Sequence, residues 1–443
     1  MNLKLLQAFS KNLFYLFVFL LPWQTIYLIQ EKFVQEKWQY ASWGIYLFEI
    51  VLFFSLFFFF LSCSWTKIKK IILLIFSQKY FWIGLLFFVW LVFSILWSTN
   101  KVLSYHYLLL FLILFLVFLF LFYFKNEISF LSISLLFIFS LTLHSLIGEQ
   151  QFFQQNTWSN KWLGISSHSL DFGGTAKLNV NGIKYLRAYG GFNHPNIFGG
   201  FLAISLLLLL VLFFYSQTIK EKIVLLIIFL IQFFSFLATF SRSSWLGFTV
   251  GLLILIFLLN KNIHRSLSFI FKKIYPLLLA SFFVIFYFIS HYYFLFNQRF
   301  SLDISQQTSL TQRWDYKKQA WNIFQKHPWK GIGLNNYVIY LYQHQATPSI
   351  PIWQWQPVHN IYLLILTEIG IIGVFLLILF FYFIFINFRK KNKPSNISSI
   401  TTLASLGTLI TIGFFDHWIW TQISGFLLTG LILNFLLVEL FKK

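Results

Sequence analysis

Cysteine occurs once in 443 residues, at Cys63, so neither a disulfide framework nor a cysteine-ligated metal centre is available to this chain. Charge is scarce as well. Asp, Glu, Lys and Arg make up 10% of the residues, where soluble domains carry about 25%. Acids are the rarer kind, 12 against 33 Lys and Arg. Such a composition excludes an ordinary soluble domain. No small-residue cleavage site follows the apolar run behind Lys4 and Lys11, so a retained first helix is expected rather than a signal peptide. No internal repeat is visible.

What fills the chain is apolar: 58% hydrophobic residues, 62 Phe, 17 Trp and a mean hydropathy of +0.75. This composition predicts an all-α polytopic membrane protein, with residues 1–443 as a single membrane domain. A span needs about 20 apolar residues. Twelve segments qualify, roughly 12–30, 43–62, 80–97, 103–124, 128–147, 196–215, 222–240, 244–260, 274–296, 360–388, 398–415 and 417–440. In a soluble protein a net charge of +21 would point to nucleic acid. Here it reads as topology signal and attraction to lipid headgroups, so the bilayer is the expected partner and nucleic acid is not. The short connections holding Lys67, Lys69, Lys70, Lys220, Lys222 and Arg389 form the basic side, which predicts that both termini are cytoplasmic. Two long loops, 148–195 and 297–359, then face outward. Loops of that length are usually functional or disordered. The second contains TSLTQRWDYKKQAWNIFQKHPWKG, read as a helix over about 309–326 lying on the membrane surface. Leu310, Trp314, Trp321 and Phe324 form its stripe, Thr308 or Ser309 its cap, and Pro328 its stop.

The outward side holds four arginines. Arg187 stands in YLRAYGGFNHPNIFGG and Arg242 in the polar knot ATFSRSSWLGF; Arg299 and Arg313 belong to the second loop. Arginines at span ends snorkel to headgroups, and Arg299 is read that way. Arg242, flanked by Ser241, Ser243 and Ser244 in an apolar stretch, is better placed in a polar cavity. Guanidinium groups match phosphate oxygens, and a diphosphate with its lipid tail in the bilayer suits such a cluster. A divalent metal is the usual rival for holding diphosphate. The outward carboxylates, Glu31, Glu36, Glu149, Asp171, Asp303, Asp315 and Asp416, form no Asp-x-Asp pair, so arginine without metal or other cofactor is the favoured reading. His359 closes the second loop. It is either a cap of the tenth span or a general base, for which a pKa near 6.5 is suited. Glu368 is nine residues on, about 900° of rotation and about 13.5 Å along a helix, so it cannot orient His359. Glu368 and Glu49 are read as inward-facing structural hydrogen-bonding groups, and Gly370 and Gly373 as a surface for close helix packing. Trp353 and Trp355 either stack on sugars or sit in the interfacial belt.

These residues resemble the bacterial O-antigen ligase and polymerase family. Its marker, His-Asn followed after nine residues by Gly-x-x-Gly, stands here as HNIYLLILTEIGIIG with His359, Asn360, Gly370 and Gly373. The GGFNHPN turn, the SRSSW knot and RWDYKKQAWNIFQKHPWKGIGLNNY are similar to the same family. The resemblance runs from about Arg187 to Leu376. It implies a GT-C-like membrane glycosyltransferase of the plasma membrane, active on the outer face, inverting and metal-independent. Its donor would be an undecaprenyl-diphosphate-linked glycan, and its acceptor a hydroxyl on lipid A core, on another glycan or on protein. The family's essential arginines correspond to Arg242 and Arg313, with Arg187 a weaker correspondence, and its essential histidine to His359. Asn360, Asn193, His194 and Asn196 are expected to support the site. A polysaccharide polymerase with the same chemistry, a transporter such as a bicarbonate transporter, and a non-catalytic scaffold are the alternatives.

Overall fold

Apolar runs decide that most of this chain is helical, and polar breaks decide where each helix turns back. A computed structural model describes residues 3–31, 33–34, 36–37, 40, 42–263, 267–300, 304–344, 351–390 and 396–441. Asp303, and the side chains of Glu36, Thr308, Ser309 and Leu310, lie outside that description.

In chain order, α1 (Leu3–Leu20) is followed by β1 (Ile26–Gln30), β2 (Phe33–Val34), β3 (Glu36–Lys37) and β4 (Trp43–Tyr46). Then come α2 (Leu47–Ser62), α3 (Trp65–Phe76), α4 (Lys79–Ser94), α5 (Lys101–Tyr123) and α6 (Phe130–Gln154). β5 (Lys177–Val180) and β6 (Ile183–Leu186) precede α7 (Pro195–Tyr215), α8 (Ile219–Ala238), α9 (Arg242–Ile263), α10 (Leu267–Phe300), α11 (Ile304–Lys326) and α12 (Tyr337–His344). The chain closes with α13 (Ile361–Lys390), α14 (Ile397–Gly413), α15 (Trp418–Thr421) and α16 (Ile423–Glu439). Among the described residues nine helices are long and apolar enough to cross a membrane, or ten if α2 and α3, bent by 110°, make one span. The chain is thus a mostly helical multi-pass membrane protein.

Helix α7 is the axis of the bundle. Its Leu-rich body is buried on nearly every side, and it packs against α6, α8, α9 and α14. Pairs α1–α2, α9–α14 and α4–α13 complete the frame. Within the apolar bundle, hydroxyls bond across helices: Ser10 Oγ donates to the Ser55 carbonyl at 2.8 Å, and Ser55 Oγ returns the bond at 2.9 Å.

Four expectations change. The first span was placed at 12–30, yet α1 ends at Leu20. IYLIQ beyond it is strand β1, paired antiparallel with β4 from Ile26–Tyr46 to Gln30–Trp43. An apolar run alone does not distinguish strand from helix. The all-α expectation holds for the bundle only. β2–β3 and β5–β6 add two more two-stranded ribbons, the latter turning on Asn181-Gly182 with φ of 50° and 86°, the dipeptide that such hairpins demand. Helix α11 starts at Ile304, before the Thr308 and Ser309 expected to cap it, and Trp314 and Trp321 are exposed. Its protein-facing side is Tyr316, Ala320 and Ile323, because in a membrane protein the aromatic stripe is free to face outward. Finally, Gly370 is a break inside α13, at φ 68° and ψ −179°, and not a helix-packing surface.

That break is filled by another segment. The Thr367 and Glu368 carbonyls, orphaned by the kink, accept from Ile332 N at 3.1 Å and Gly333 N at 2.9 Å. Ile371 N and Ile372 N donate to the carbonyls of Pro328 and Trp329. A Cβ on Gly370 would lie 2.3 Å from the Trp329 oxygen. The HPWKGIG stretch and the Gly-x-x-Gly half of HNIYLLILTEIGIIG are therefore two sides of one joint.

Candidate functional site

At the end of the bundle where the long connections lie, His359 is placed by the start of α13. Asn360 caps that helix, accepting from Leu363 N at 2.9 Å, and its Nδ2 donates to the Phe414 carbonyl at 3.2 Å. The capped turn fixes His359 one residue upstream, with its side chain 17% exposed. Its Nδ1 is 3.8 Å from Asp416 Oδ1, its ring 5.0 Å from that of His417, and the Tyr316 ring of α11 stands 6.2 Å away.

Asp416 sits in the turn between α14 and α15. Its Oδ1 accepts from His417 N at 2.8 Å, and its Oδ2 from Asn196 Nδ2 at 2.8 Å. Asn196 in turn accepts from an Arg187 terminal nitrogen at 2.7 Å, and Arg187 Nε donates to the Thr239 carbonyl at 2.6 Å. A relay Arg187–Asn196–Asp416–His359 thus joins three distant parts of the sequence. His194 Nδ1 accepts from Asn196 N at 3.1 Å and caps α7, while Asn193 is half-buried beside it.

The SRSSW knot holds the other side. Ser241 and Ser244 hydroxyls pair at 2.8 Å, and Ser244 Oγ donates to the Asn196 carbonyl at 3.3 Å. Arg242, the first residue of α9, donates to the Arg299 carbonyl at 3.2 Å, and Arg299 Nε to the Phe240 carbonyl at 3.0 Å. Arg313 on α11 completes the cluster. Its charge reaches Arg187, Arg242, Arg299 and His417.

The electrostatics follow from this crowding. Burial, with Arg313 and Arg242 nearby, lowers Arg187 to about 10 against the pull of Tyr189 and Asp416. Burial and the neighbouring His359 and Arg313 lower His417 to about 3, although Asp416 opposes them. His194 falls well below its ordinary value, through burial and Arg187. Burial would raise Asp416, but His359, His417 and His194 outweigh it and hold the carboxyl well below the usual range.

All the expected site residues except Asn193 are bonded or charged parts of this cluster, and other readings are refined. Arg299, read as snorkelling, is 9% exposed and belongs to the arginine group. Asp416 and His417 were not singled out, although FFDHW places an acid–histidine pair in the middle of two apolar segments. Trp355 is buried edge-on to Tyr342, and Trp353 lies on the backbone of Gly173, where a Cβ would come within 2.7 Å of the indole nitrogen. Trp355 thus fastens the second long connection to the fold, while Trp353, 37% exposed, packs on Gly173 and keeps part of its ring open. Glu368, as expected, is structural. It is 1% exposed and accepts from Asn335 N at 3.0 Å and Trp420 Nε1 at 2.9 Å. Glu49 accepts from Tyr46 N at 2.8 Å and lies 3.5 Å from His106 Nε2. One group among the described residues has the composition of a metal centre: His359, Asp416 and His417, each with a ligand atom within 4.8 Å of the others.

No curated protein matches the chain. Residues 227–378 match the model of the O-antigen ligase family, a stretch that contains Arg242, Arg299, Arg313, His359, Gly370 and Gly373 but not Arg187, Asn196, Asp416 or His417. The match supports a ligase- or polymerase-type glycosyltransferase activity on lipid-linked glycans. Through those residues, about a third of its length, this multi-pass membrane protein is similar to the O-antigen ligase family.

Proposed function

We propose that the protein transfers a glycan from an undecaprenyl-diphosphate carrier to an acceptor hydroxyl at the outer face of the plasma membrane. The twelve expected segments, with α14 and α16 as short spans, form its GT-C-like frame. Both termini are cytoplasmic. The observation that carries the reading is the convergence of an arginine cluster with the Asp416–His359 pair.

Arg242, Arg313 and Arg299 hold the diphosphate. Arg187, with two of its donors committed to Thr239 and Asn196, contributes charge and anchors the relay. The acceptor hydroxyl attacks the anomeric carbon from the face opposite the leaving group, with inversion. His359 Nε2 takes the hydroxyl proton, because Nδ1–H is directed at Asp416. The 3.8 Å separation closes to a charge-assisted hydrogen bond as the imidazolium forms. The glycosidic C–O bond breaks, its electron pair goes to the diphosphate oxygen, and the arginines stabilise that developing charge. Asp416 is a positioning residue, and no metal takes part. A ligase acting on a lipid A core hydroxyl is the first reading; a polymerase, or transfer to protein, uses the same chemistry on another acceptor.

The test is purified protein with a carrier-linked glycan and candidate acceptors. Transfer by the native protein and none by His359→Ala is expected. Undiminished transfer by His359→Ala would overturn the mechanism in favour of a scaffold. Solute uptake that depends on the arginines, without glycan transfer, would favour a transporter.

A further inference from the structure

His359, Asp416 and His417 are used only in part by the reaction above. The ring of His417 has no role in it, yet that ring is buried and 5.0 Å from the ring of His359. His417 Nδ1 lies 2.7 Å from Thr421 Oγ1, a hydroxyl that also reaches the His417 carbonyl at 3.3 Å. With Nδ1–H as the donor to that hydroxyl, the lone pair of His417 is on Nε2. A histidine held this way by a hydrogen bond from its other nitrogen is the usual arrangement of a metal ligand. His359 Nδ1 is buried with no hydrogen-bond partner among the described residues, and Asp416 keeps unused lone pairs on both oxygens. Two imidazoles and one carboxylate, with ligand atoms within 4.8 Å of one another, are the donor set of a borderline divalent cation with an open fourth position.

We propose that this trio is an inhibitory site for a divalent transition cation such as Zn²⁺, which switches the protein off by taking the base. The inference rests on the proposed role of His359. In the active tautomer the His359 proton is on Nδ1, facing Asp416, and Nε2 is free to accept the acceptor's proton. A cation bound at Nδ1 shifts that proton to Nε2. No net proton is released, but the nitrogen that must receive a proton already carries one. The same cation neutralises Asp416, which would otherwise steady the imidazolium. Arg313 opposes a dication here, and the ionised Asp416 offsets it. Softness and geometry select against Mg²⁺ and Ca²⁺, which prefer oxygen-only shells.

Chelator-treated protein in detergent is titrated with Co²⁺, whose visible absorption reports nitrogen-containing tetrahedral coordination, and glycan transfer is followed with and without Zn²⁺. One equivalent of Co²⁺ is expected to bind. Zn²⁺ should abolish transfer, and chelator should restore it. His417→Gln should lose the Co²⁺ spectrum and transfer glycan in the presence of Zn²⁺. Thr421→Val, which removes only the hydroxyl that orients His417, should weaken binding about 10- to 100-fold. Monodispersity by size exclusion shows that each variant is folded. Absence of a Co²⁺ spectrum in the native protein, or a spectrum that survives both His417→Gln and Asp416→Asn, overturns the site. Transfer that is lost on chelation and regained with metal overturns the inhibitory role. A variant-sensitive Co²⁺ spectrum in a protein that transfers no glycan would sink the proposed function and leave the metal site standing.

Discussion

In the proposed mechanism His359 and Asp416 act as a pair, and single substitutions separate their parts. Asp416→Asn keeps an acceptor for Asn196 but cannot hold an imidazolium. It is expected to lower kcat about 10²- to 10⁴-fold with KM little changed, and Asp416→Glu to recover part of the loss. An equal rise in KM with kcat preserved would show that Asp416 serves folding or donor binding instead. Arg299→Ala tests the residue that was read as snorkelling. A raised KM for the lipid-linked donor is expected, and unchanged kinetics would return Arg299 to a structural role. A pH effect is expected away from the site, at His168, whose ring is stacked on Tyr189 with centroids 3.9 Å apart. Burial lowers it to about 4, against about 6.5 for an exposed histidine. Between those values the unfolded chain binds a proton that the folded chain refuses, so stability is intact above pH ~6.5 and declines as pH falls toward 4. His168→Phe keeps the stacking and should flatten that decline in apparent Tm; equal acid sensitivity in the two proteins would refute it.

Helices were the most legible elements in the sequence, because an apolar run of about 20 residues has few other uses. The breaks and ribbons were not. Glu368 reads from sequence as an inward-facing structural group and Gly370 as a packing surface, and neither reading reveals the 328–333 segment inserted beside them. Both exist because α13 gives up part of its own ladder to a loop about 40 residues upstream, a pairing that no local pattern encodes. The joint requires a backbone at φ 68° and ψ −179°, a region almost confined to glycine. Gly370→Ala should therefore cost on the order of 1–3 kcal/mol and also drive its methyl into the Trp329 carbonyl. A clear fall in apparent Tm checks this, and an unchanged Tm would mean that the joint rearranges freely. Gly173→Val should free the Trp353 contact between the long connections and increase protease cleavage there without unfolding the bundle.

At the scale of the whole molecule, positive charge in the short connections predicts which side faces the cytoplasm. Chain-wide composition was enough for the class of protein. The sequence motifs pointed to His359 and the arginines as candidates, whereas the position of Asp416 beside them appears only when α14 and α15 fold back against α7 and α13. In a Cys63→Ala background, Lys318→Cys on α11 should react with a membrane-impermeant maleimide in intact spheroplasts, and Lys220→Cys should react only after permeabilisation. The reverse pattern would put the site on the cytoplasmic side. The joint in α13 also bears on how the protein fails. Amides of Ile332, Gly333, Ile371 and Ile372 bond across it, so their hydrogen exchange should proceed as one opening unit rather than as separate helix and loop. The joint lies between α11, which carries Arg313, and the half of α13 that begins beside His359. On the proposed mechanism, a fluctuation that opens it would loosen the leaving-group clamp and the base together, so that such a protein falls silent when it breathes and does not spend its lipid-linked donor on water.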